Sequence, residues 1–224
     1  MGNLINPTVS GTITIKTKMK AGGRMILTLS VENTNVVLGV FDGQTLRFTS
    51  RMATDRKKTG DEYAIAFRSI LELHDIHRED IQGGIVSSVV PALIREIRLA
   101  LNLILGREPM VVGPGVKTGL NILTDAPAAV GSDLVVGGVA AIACYGAPAI
   151  VMDLGTATTI TVIDRDGCFR GGAILPGVKL GMAALASGTS LLPDISITAP
   201  SSARFTGGTT EDTIAPSKPA LSTP

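Results

Sequence analysis

The run Asp153-Leu154-Gly155-Thr156-Ala157-Thr158-Thr159 lies between two apolar stretches and combines the residue types a phosphate needs. Gly155 permits a tight turn close to phosphate oxygens, and the hydroxyls and backbone N–H groups offer donors. An ordinary hairpin turn with threonines chosen for strand propensity fits the same seven residues equally well. A second candidate is Gly131-Ser132-Asp133, which precedes a long apolar helix. Read on its own, Asp133 is an N-cap or first-turn carboxylate complementing the helix dipole. A third segment, Glu32-Asn33-Thr34, closes an apolar strand in the same way that Asp153 to Thr156 does. His74 and His77 stand three residues apart in a polar context, but two ligands do not make a metal site, and no role is assigned to them.

These segments have to be positioned by elements that the periodicity outlines from Met25 onward. Ile26 to Val31, Asn35 to Phe41 and Thr45 to Arg51 are short apolar or alternating runs, the last two joined across the turn signal Asp42-Gly43. Asp61 to His74 has a helical apolar face, opened by Thr59 as N-cap with Glu62 three residues on. A strand over Gly84 to Val90, a helix over Leu93 to Leu105 and a strand at Met110-Val111-Val112 follow. After a glycine-rich connection and a polar stretch to Pro127, a helix from about Asp133 to Tyr145 leads into three more strands. These are Ile150 to Leu154, Thr158 to Asp164 and Cys168 to Ile174, with Asp166-Gly167 as a turn, and a helix over Val178 to Ala186 comes after them. The three-strand pattern thus occurs twice. Two strand-ending loops facing each other across a cleft would hold a nucleotide.

The expected organisation is a leader over residues 1–24, a first domain over 25–128, a partial second domain over 129–200 and a disordered tail over 201–224. Lys20-Ala21-Gly22-Gly23-Arg24 before Met25 is what a translated purine-rich ribosome-binding site would give, so Met25 is the expected start; an extra edge strand over 11–17 is the alternative. Beyond Pro200 the apolar content collapses into Ser, Thr, Gly and Pro. The second domain is expected to lack the α/β units that complete the first, leaving the strands over 150–154 and 158–164 partly uncovered.

Composition narrows the function classes. Hydrophobic residues are 45% and charged residues 17% of the 224, with no Trp, two Tyr and five Phe, which suits an α/β core of Val, Ile, Leu and Ala. A net charge of +1 argues against a nucleic-acid partner. Cys144 and Cys168 lack C-x-x-C spacing and read as reduced thiols. No run of about 18 apolar residues and no secretory signal is evident, so no membrane role is expected and the expected location is the cytoplasm.

Taken together, several strings resemble the type III pantothenate kinases. They are Thr54-Asp55-Arg56 with Thr59 and Asp61-Glu62-Tyr63; Ser87-Ser88-Val89-Val90-Pro91; Val112-Gly113-Pro114-Gly115-Val116-Lys117-Thr118-Gly119; the Asp153 to Thr159 run; and Gly171-Gly172-Ala173-Ile174-Leu175-Pro176-Gly177. They fall in family order from Met25 to about Pro200. The resemblance implies two actin-like (ribonuclease H-like) ATPase domains with mixed sheets, the second truncated. It implies ATP with Mg2+ in a cleft, pantothenate nearby, a monovalent cation (K+ or NH4+) and a homodimer. It maps the proton acceptor for the pantothenate hydroxyl to Asp133, within the substrate-binding set Gly131, Ser132, Asp133 and Leu134. It maps the potassium ligand to Asp153, an ATP contact to Thr156, and the phosphate-holding loop to Ser30 through Val37, with Ser30, Glu32, Asn33, Thr34 and Asn35 as contacts. Thr206 to Ile214 resembles the later substrate loop, with Thr210 as its contact.

The chain departs from the family pattern at four of these places. Ser30 and Glu32 stand where the first loop has Asp and Gly, Leu134 where Gly-x-Asp-Arg has Arg, and Thr124 where a tyrosine lies near pantothenate. Glu32 puts an anion beside a triphosphate, although positions 30 and 32 share a strand face, so that Glu32 is placed to supply the missing carboxylate. Two functions follow as expectations: an ATP-dependent kinase making 4'-phosphopantothenate at the first step of coenzyme A biosynthesis, and a catalytically impaired or regulatory relative with an altered phosphate loop.

Overall fold

The computed structural model describes residues 25–192. The expected leader, the alternative strand over 11–17, the tail and Thr210 lie outside the described residues. The central strand, β1 (Met25–Val31), alternates in burial: Leu27, Leu29 and Val31 are fully enclosed while Thr28 and Ser30 are half-buried on the other face. It pairs antiparallel with β2 (Asn35–Asp42), which pairs antiparallel with β3 (Thr45–Ala53) across a two-residue turn, Gly43-Gln44, one position beyond the expected Asp42-Gly43. On its other side β1 pairs parallel with β4 (Ile81–Ser88), which pairs parallel with the short β5 (Met110–Val111). The resulting order is β3-β2-β1-β4-β5. Hairpins can join antiparallel neighbours directly, whereas the step to a parallel neighbour requires a crossover, supplied here by helix α1 (Gly60–Leu73).

Helix α1 and helix α2 (Pro91–Leu105) enclose the core of this sheet. Tyr63, Phe67 and Leu71 from α1 and Leu93, Ile97 and Leu101 from α2 meet the buried residues of β1 and β2. The two helices approach closely at Gly60, where a methyl group would come within 2.7 Å of the Leu99 side chain. The Gly60 N–H also donates to the Glu96 carboxylate at 2.8 Å, so α2 helps satisfy the start of α1. The capping box expected from Thr59 and Glu62 is present: the Thr59 hydroxyl accepts from Glu62 N, and the Glu62 carboxylate accepts from Thr59 N at 2.8 Å.

Helix α2 begins two residues before the expected Leu93. Pro91 takes the first helical position, where its missing N–H removes a group that would have no intrahelical partner. β4 accordingly stops at Ser88, whose hydroxyl accepts from Val90 N, rather than running to Val90. At the other end of α2, Gly106 adopts φ +68 and donates to Asn102 O, a left-handed cap that a Cβ would strain.

A second sheet has the order β6-β9-β8-β7. Its strands are β6 (Asn121–Ile122), β7 (Ala149–Leu154), β8 (Ala157–Ile163) and β9 (Cys168–Pro176); α3 (Ser132–Tyr145) precedes β7 and α4 (Val178–Gly188) follows β9. The adjacency β9-β8-β7 repeats β3-β2-β1, as the duplicated pattern predicts. β6 is unexpected: two residues inside a polar stretch show no periodicity, and its existence rests on parallel pairing with Cys168 and Phe169. Exposure of β7 is as expected, with Ile150, Met152 and Leu154 at 73, 60 and 71%, but β8 is better covered, since Thr161 and Ile163 are buried. In the β8–β9 turn one Asp164 oxygen accepts from Asp166 N and Cys168 N, and the other from Arg170 Nε at 2.6 Å.

The described residues divide into two compact units, 25–151 with 161–172 and 152–160 with 173–192. Cys144 and Cys168 are free thiols, and among the described residues no helix is long and apolar enough to cross a membrane.

Two carboxylates, half-buried Asp164 and exposed Glu62, report on these local structures. The Cys168 N–H, with the Arg170 guanidinium, holds the Asp164 carboxyl below its ordinary value, and the Thr59 N–H does the same for Glu62. A depressed acid contributes stability that is present above its unfolded pKa and lost as pH falls through the folded one. Thr59→Ala is expected to cost about 1 kcal/mol of stability at neutral pH in urea denaturation. Asp164→Asn and Glu62→Gln are each expected to flatten the loss of stability on acidification below about pH 4. An acid titration of melting temperature identical to that of the unsubstituted chain would contradict the assignment.

Candidate functional site

The alternation that buries Leu29 and Val31 turns Ser30 and Glu32 to the opposite face of β1. Their side chains meet there: the Ser30 hydroxyl donates to the Glu32 carboxylate at 3.3 Å. The loop between β1 and β2 closes with Glu32 N donating to Asn35 O at 2.9 Å. Asn33 and Thr34 form its exposed tip, and Ser30, Glu32 and Asn35 are half-buried. The segment after β3 braces this loop. Thr54 donates through its hydroxyl to Glu32 O at 2.6 Å and through its N–H to Thr34 O at 2.9 Å. Arg56 Nη2 donates to Asn33 Oδ1 at 2.9 Å. Between them, Asp55 is locked from below: its N–H donates to Tyr63 Oη at 3.1 Å and its carbonyl accepts from the same hydroxyl at 2.8 Å. Burial pushes the Tyr63 phenol above its ordinary pKa, so the hydroxyl keeps its proton for this bond.

At Gly131-Ser132-Asp133 the helix start is built from a different part of the same sheet. Gly131 occupies the N-cap position of α3 and offers no side-chain cap; Asp133 lies in the first turn, half-buried. Of the two structural roles open to Asp133, the first-turn one is therefore the one adopted, where a carboxylate complements the helix dipole. Ser132 ties the turn to the end of β4, donating to Ser88 O at 3.0 Å and accepting from the buried Ser87 hydroxyl at 3.0 Å. A methyl group on Gly131 would collide with Asp133 Oδ1, so the absent side chain at 131 makes the space the carboxylate occupies. Leu134, half-buried, brings no donor to this turn.

The second loop joins β7 to β8 in the other unit. Gly155 N donates to Ala157 O at 3.1 Å, and Asp153 and Thr156 are exposed, the Asp153 carboxylate lying near Gly155. The loop is seated on the start of α4: Gly177, the α4 N-cap, donates to Thr156 O at 3.0 Å. A Cβ at 177 would run into the carbonyl oxygens of Gly155 and Thr156. Sequence reasoning quoted Gly177, Ser87 and Arg56 within longer strings without seeing these contacts, which join residues 20 to 50 positions apart.

Ser30 to Asn35 and Gly131 to Leu134 thus stand in one unit, Asp153 and Thr156 in the other. Thr124 lies in the first unit, and its hydroxyl oxygen is buried without a hydrogen-bond partner among the described residues. No group of three or more His, Cys, Asp or Glu is gathered among the described residues. That donor set fits Mg2+ only in its usual nucleotide-bound form, with one or two carboxylates and the rest of the shell from phosphates and water.

The fold and its loops define a mixed-sheet α/β protein with glycine- and threonine-rich turns at strand ends. Comparison with known proteins makes the class specific. The model of the type III pantothenate kinase family matches residues 26–216. A type III pantothenate kinase from Moorella thermoacetica is 43% identical over 176 residues, covering 79% of this chain and 69% of that protein. Similar solved structures include one described as a conserved putative Baf family transcriptional activator from Campylobacter jejuni. It is 17% identical, covers 84% of this chain and 71% of its own, and has a TM-score of 0.48. Another is the ethanolamine utilization protein EutJ from Carboxydothermus hydrogenoformans, at 16% identity, 73% and 56% coverage and a TM-score of 0.39. The chain belongs to the type III pantothenate kinase family, on the strength of the sequence matches rather than of these structural ones. Its sheets are mixed and its class is α/β, as the resemblance implied.

The seating of the second loop predicts a contrast between two glycines of one unit. Gly177→Ala must displace the backbone at 155 and 156 and is expected to lower the melting temperature by several degrees, an overpacking cost of about 1–3 kcal/mol. Gly181→Ala, in α4 with open space around its Cβ position, is expected to leave it unchanged or raise it. Equal melting temperatures for the two variants would show that the close approach at 177 is relaxed in solution.

Proposed function

We propose that this chain transfers the γ-phosphate of ATP to pantothenate, giving 4'-phosphopantothenate at the first step of coenzyme A biosynthesis. The observation that carries the reading is the 43% identity, over most of the chain, to a type III pantothenate kinase, with the chemistry-bearing strings in order. Phosphoryl transfer asks mainly for in-line positioning and charge neutralisation. The loop over 30–35 receives the phosphates, with Ser30, Glu32, Asn33, Thr34 and Asn35 as contacts, and Thr156 adds a hydroxyl in the second loop. Asp133 accepts the proton of the pantothenate hydroxyl, within the substrate set of Gly131, Ser132, Leu134 and Thr210. The space left by Gly131 supports this role, because the Asp133 carboxylate occupies it at the helix start.

The departures at 30 and 32 are compatible with this chemistry. The Ser30–Glu32 hydrogen bond supports a reading in which Glu32 returns a carboxylate to the strand face that position 30 occupies. Glu32, with phosphate oxygens, would hold Mg2+, which supplies neutralisation of the transferred charge. Asp153 would hold K+ or NH4+. Pantothenate and ATP as ligands, a homodimer and a cytoplasmic location complete the proposal.

A coupled ADP-release assay with pantothenate, run with and without potassium, tests the reading directly. Pantothenate-dependent release is expected, and ADP release indifferent to pantothenate would refute it. Asp133→Asn is expected to lower kcat at least about a hundredfold while ATP affinity changes little, since a proton acceptor acts on the transition state; unchanged turnover would remove Asp133 from the mechanism. Asp153→Ala is expected to abolish the potassium requirement together with most of the rate, and equal rates of the unsubstituted protein in sodium and potassium would count against a cation there.

A further inference from the structure

The loop read as the phosphate cradle contains no basic residue. Ser30 to Val37 reads Ser-Val-Glu-Asn-Thr-Asn-Val-Val, and its one charged side chain, Glu32, is an anion. A polyphosphate brought to such a loop needs a cation from elsewhere in the fold. The segment after β3 delivers one: Arg56 reaches across 23 positions to place its guanidinium on the side chain of Asn33, at the exposed tip of the loop.

We propose that Arg56 is a phosphate-binding residue, contacting the polyphosphate of the bound nucleotide; the inference rests on the reading of residues 30–35 as the phosphate loop. Three observations carry it. The first is the partner. Nη2 donates to a neutral amide oxygen, so this bond fixes the guanidinium without cancelling its charge, and four further N–H donors of the planar fork stay in the geometry that suits phosphate oxygens. The second is rigidity. Thr54 is bonded twice to the loop backbone, and Asp55 is bonded twice to the buried Tyr63 hydroxyl, so the residue that follows them is held in register with residues 32–34 before any ligand arrives. Holding a long side chain in advance avoids part of the entropy cost of ordering it on binding. The third is the direction of the loop's dipoles. The carbonyls of Glu32 and Thr34 are turned to Thr54, and that of Asn35 to Glu32 N, so these negative ends are occupied within the protein.

Lys58 lies over the Tyr63 ring, 5.9 Å from its centroid, and Lys57 is bonded to the Asp55 carboxylate through its backbone N–H, so Arg56 is the residue of this basic run whose side chain is bonded to the loop. The side chains of Arg56 and Asn33 therefore act as a pair, the amide orienting the fork and the fork carrying the charge.

The test measures affinity of the full chain for ATP and for inorganic tripolyphosphate by calorimetry, alongside hydrogen exchange of residues 31–36 without ligand. Arg56→Ala is expected to weaken both ligands about tenfold or more, the size of a lost hydrogen bond to a charged group, with a shallower dependence on salt. Arg56→Lys, which keeps charge and loses the fork, should fall between. Exchange over 31–36 should stay unchanged in both variants. In turnover, the KM for ATP should rise while the KM for pantothenate does not. Unchanged affinity in Arg56→Ala overturns the proposal, as does an affinity loss accompanied by lost protection of the loop, which would make Arg56 only a structural clamp. If the unsubstituted chain binds ATP but does not phosphorylate pantothenate, the kinase reading fails while the Arg56 comparison still decides this inference; if it binds neither ATP nor tripolyphosphate, both fail.

Discussion

The period of two along β1 is the constraint on which the first unit is built. Successive side chains of a strand point to opposite faces, so enclosing Leu27, Leu29 and Val31 between sheet and helices obliges Thr28, Ser30 and then Glu32 to face the other way. A slip of one residue would bury Ser30 and expose Leu29, exchanging a packed apolar side chain for an unpaired hydroxyl. The cost of that exchange, several kcal/mol by ordinary transfer energies, fixes the register of β1 against both β2 and β4. Because β1 is the central strand, its register also sets where its C-terminal loop emerges.

Neither of the loops that carry the candidate chemistry holds itself in place. Residues 32–34 are braced by Thr54, which is in turn fixed through Asp55 to the hydroxyl of Tyr63 in α1. The start of α3 is tied by Ser132 to Ser87 and Ser88 at the end of β4. The loop over 155–156 sits on Gly177 at the start of α4. In each case a short exposed segment, with little apolar area of its own to bury, borrows rigidity from a packed element through one or two hydrogen bonds. Small residues at 131 and 177 serve the same end by leaving space: one for a carboxylate, the other for two carbonyl oxygens. Such sites tolerate change at their tips better than at these supports. The departures at positions 30 and 134 lie within an intact strand and an intact helix, and that at 32 in the loop just after the strand.

Charge around the first loop follows from the same architecture. A glutamate at position 32 adds an anion to the loop proposed to receive phosphate, and its carboxylate is hydrogen-bonded to Ser30 on the strand. The tip itself is marked by the guanidinium on Asn33. Negative and positive groups are thus separated along a few residues, an arrangement in which a metal and a polyphosphate have complementary places.

The sequence by itself determined the element types and the family. Alternation, the capping box at Thr59 and Glu62 and the turn at Asp166-Gly167 are local signals, legible because their physics acts within a few residues; the repeated three-strand order followed from them. Element ends were displaced by one to three residues, as at Pro91, where proline opens α2 instead of closing the strand before it. β6 was invisible because two residues carry no period, and its hydrogen bonds come from β9, about 47 positions away. Tertiary structure alone decided which residues hold the candidate site: Tyr63 beneath Asp55, Arg56 on Asn33, Ser87 on Ser132, Gly177 against Thr156. Each of these pairs joins residues whose proximity is set by how strands and helices pack, and no spacing rule along the chain encodes such a contact.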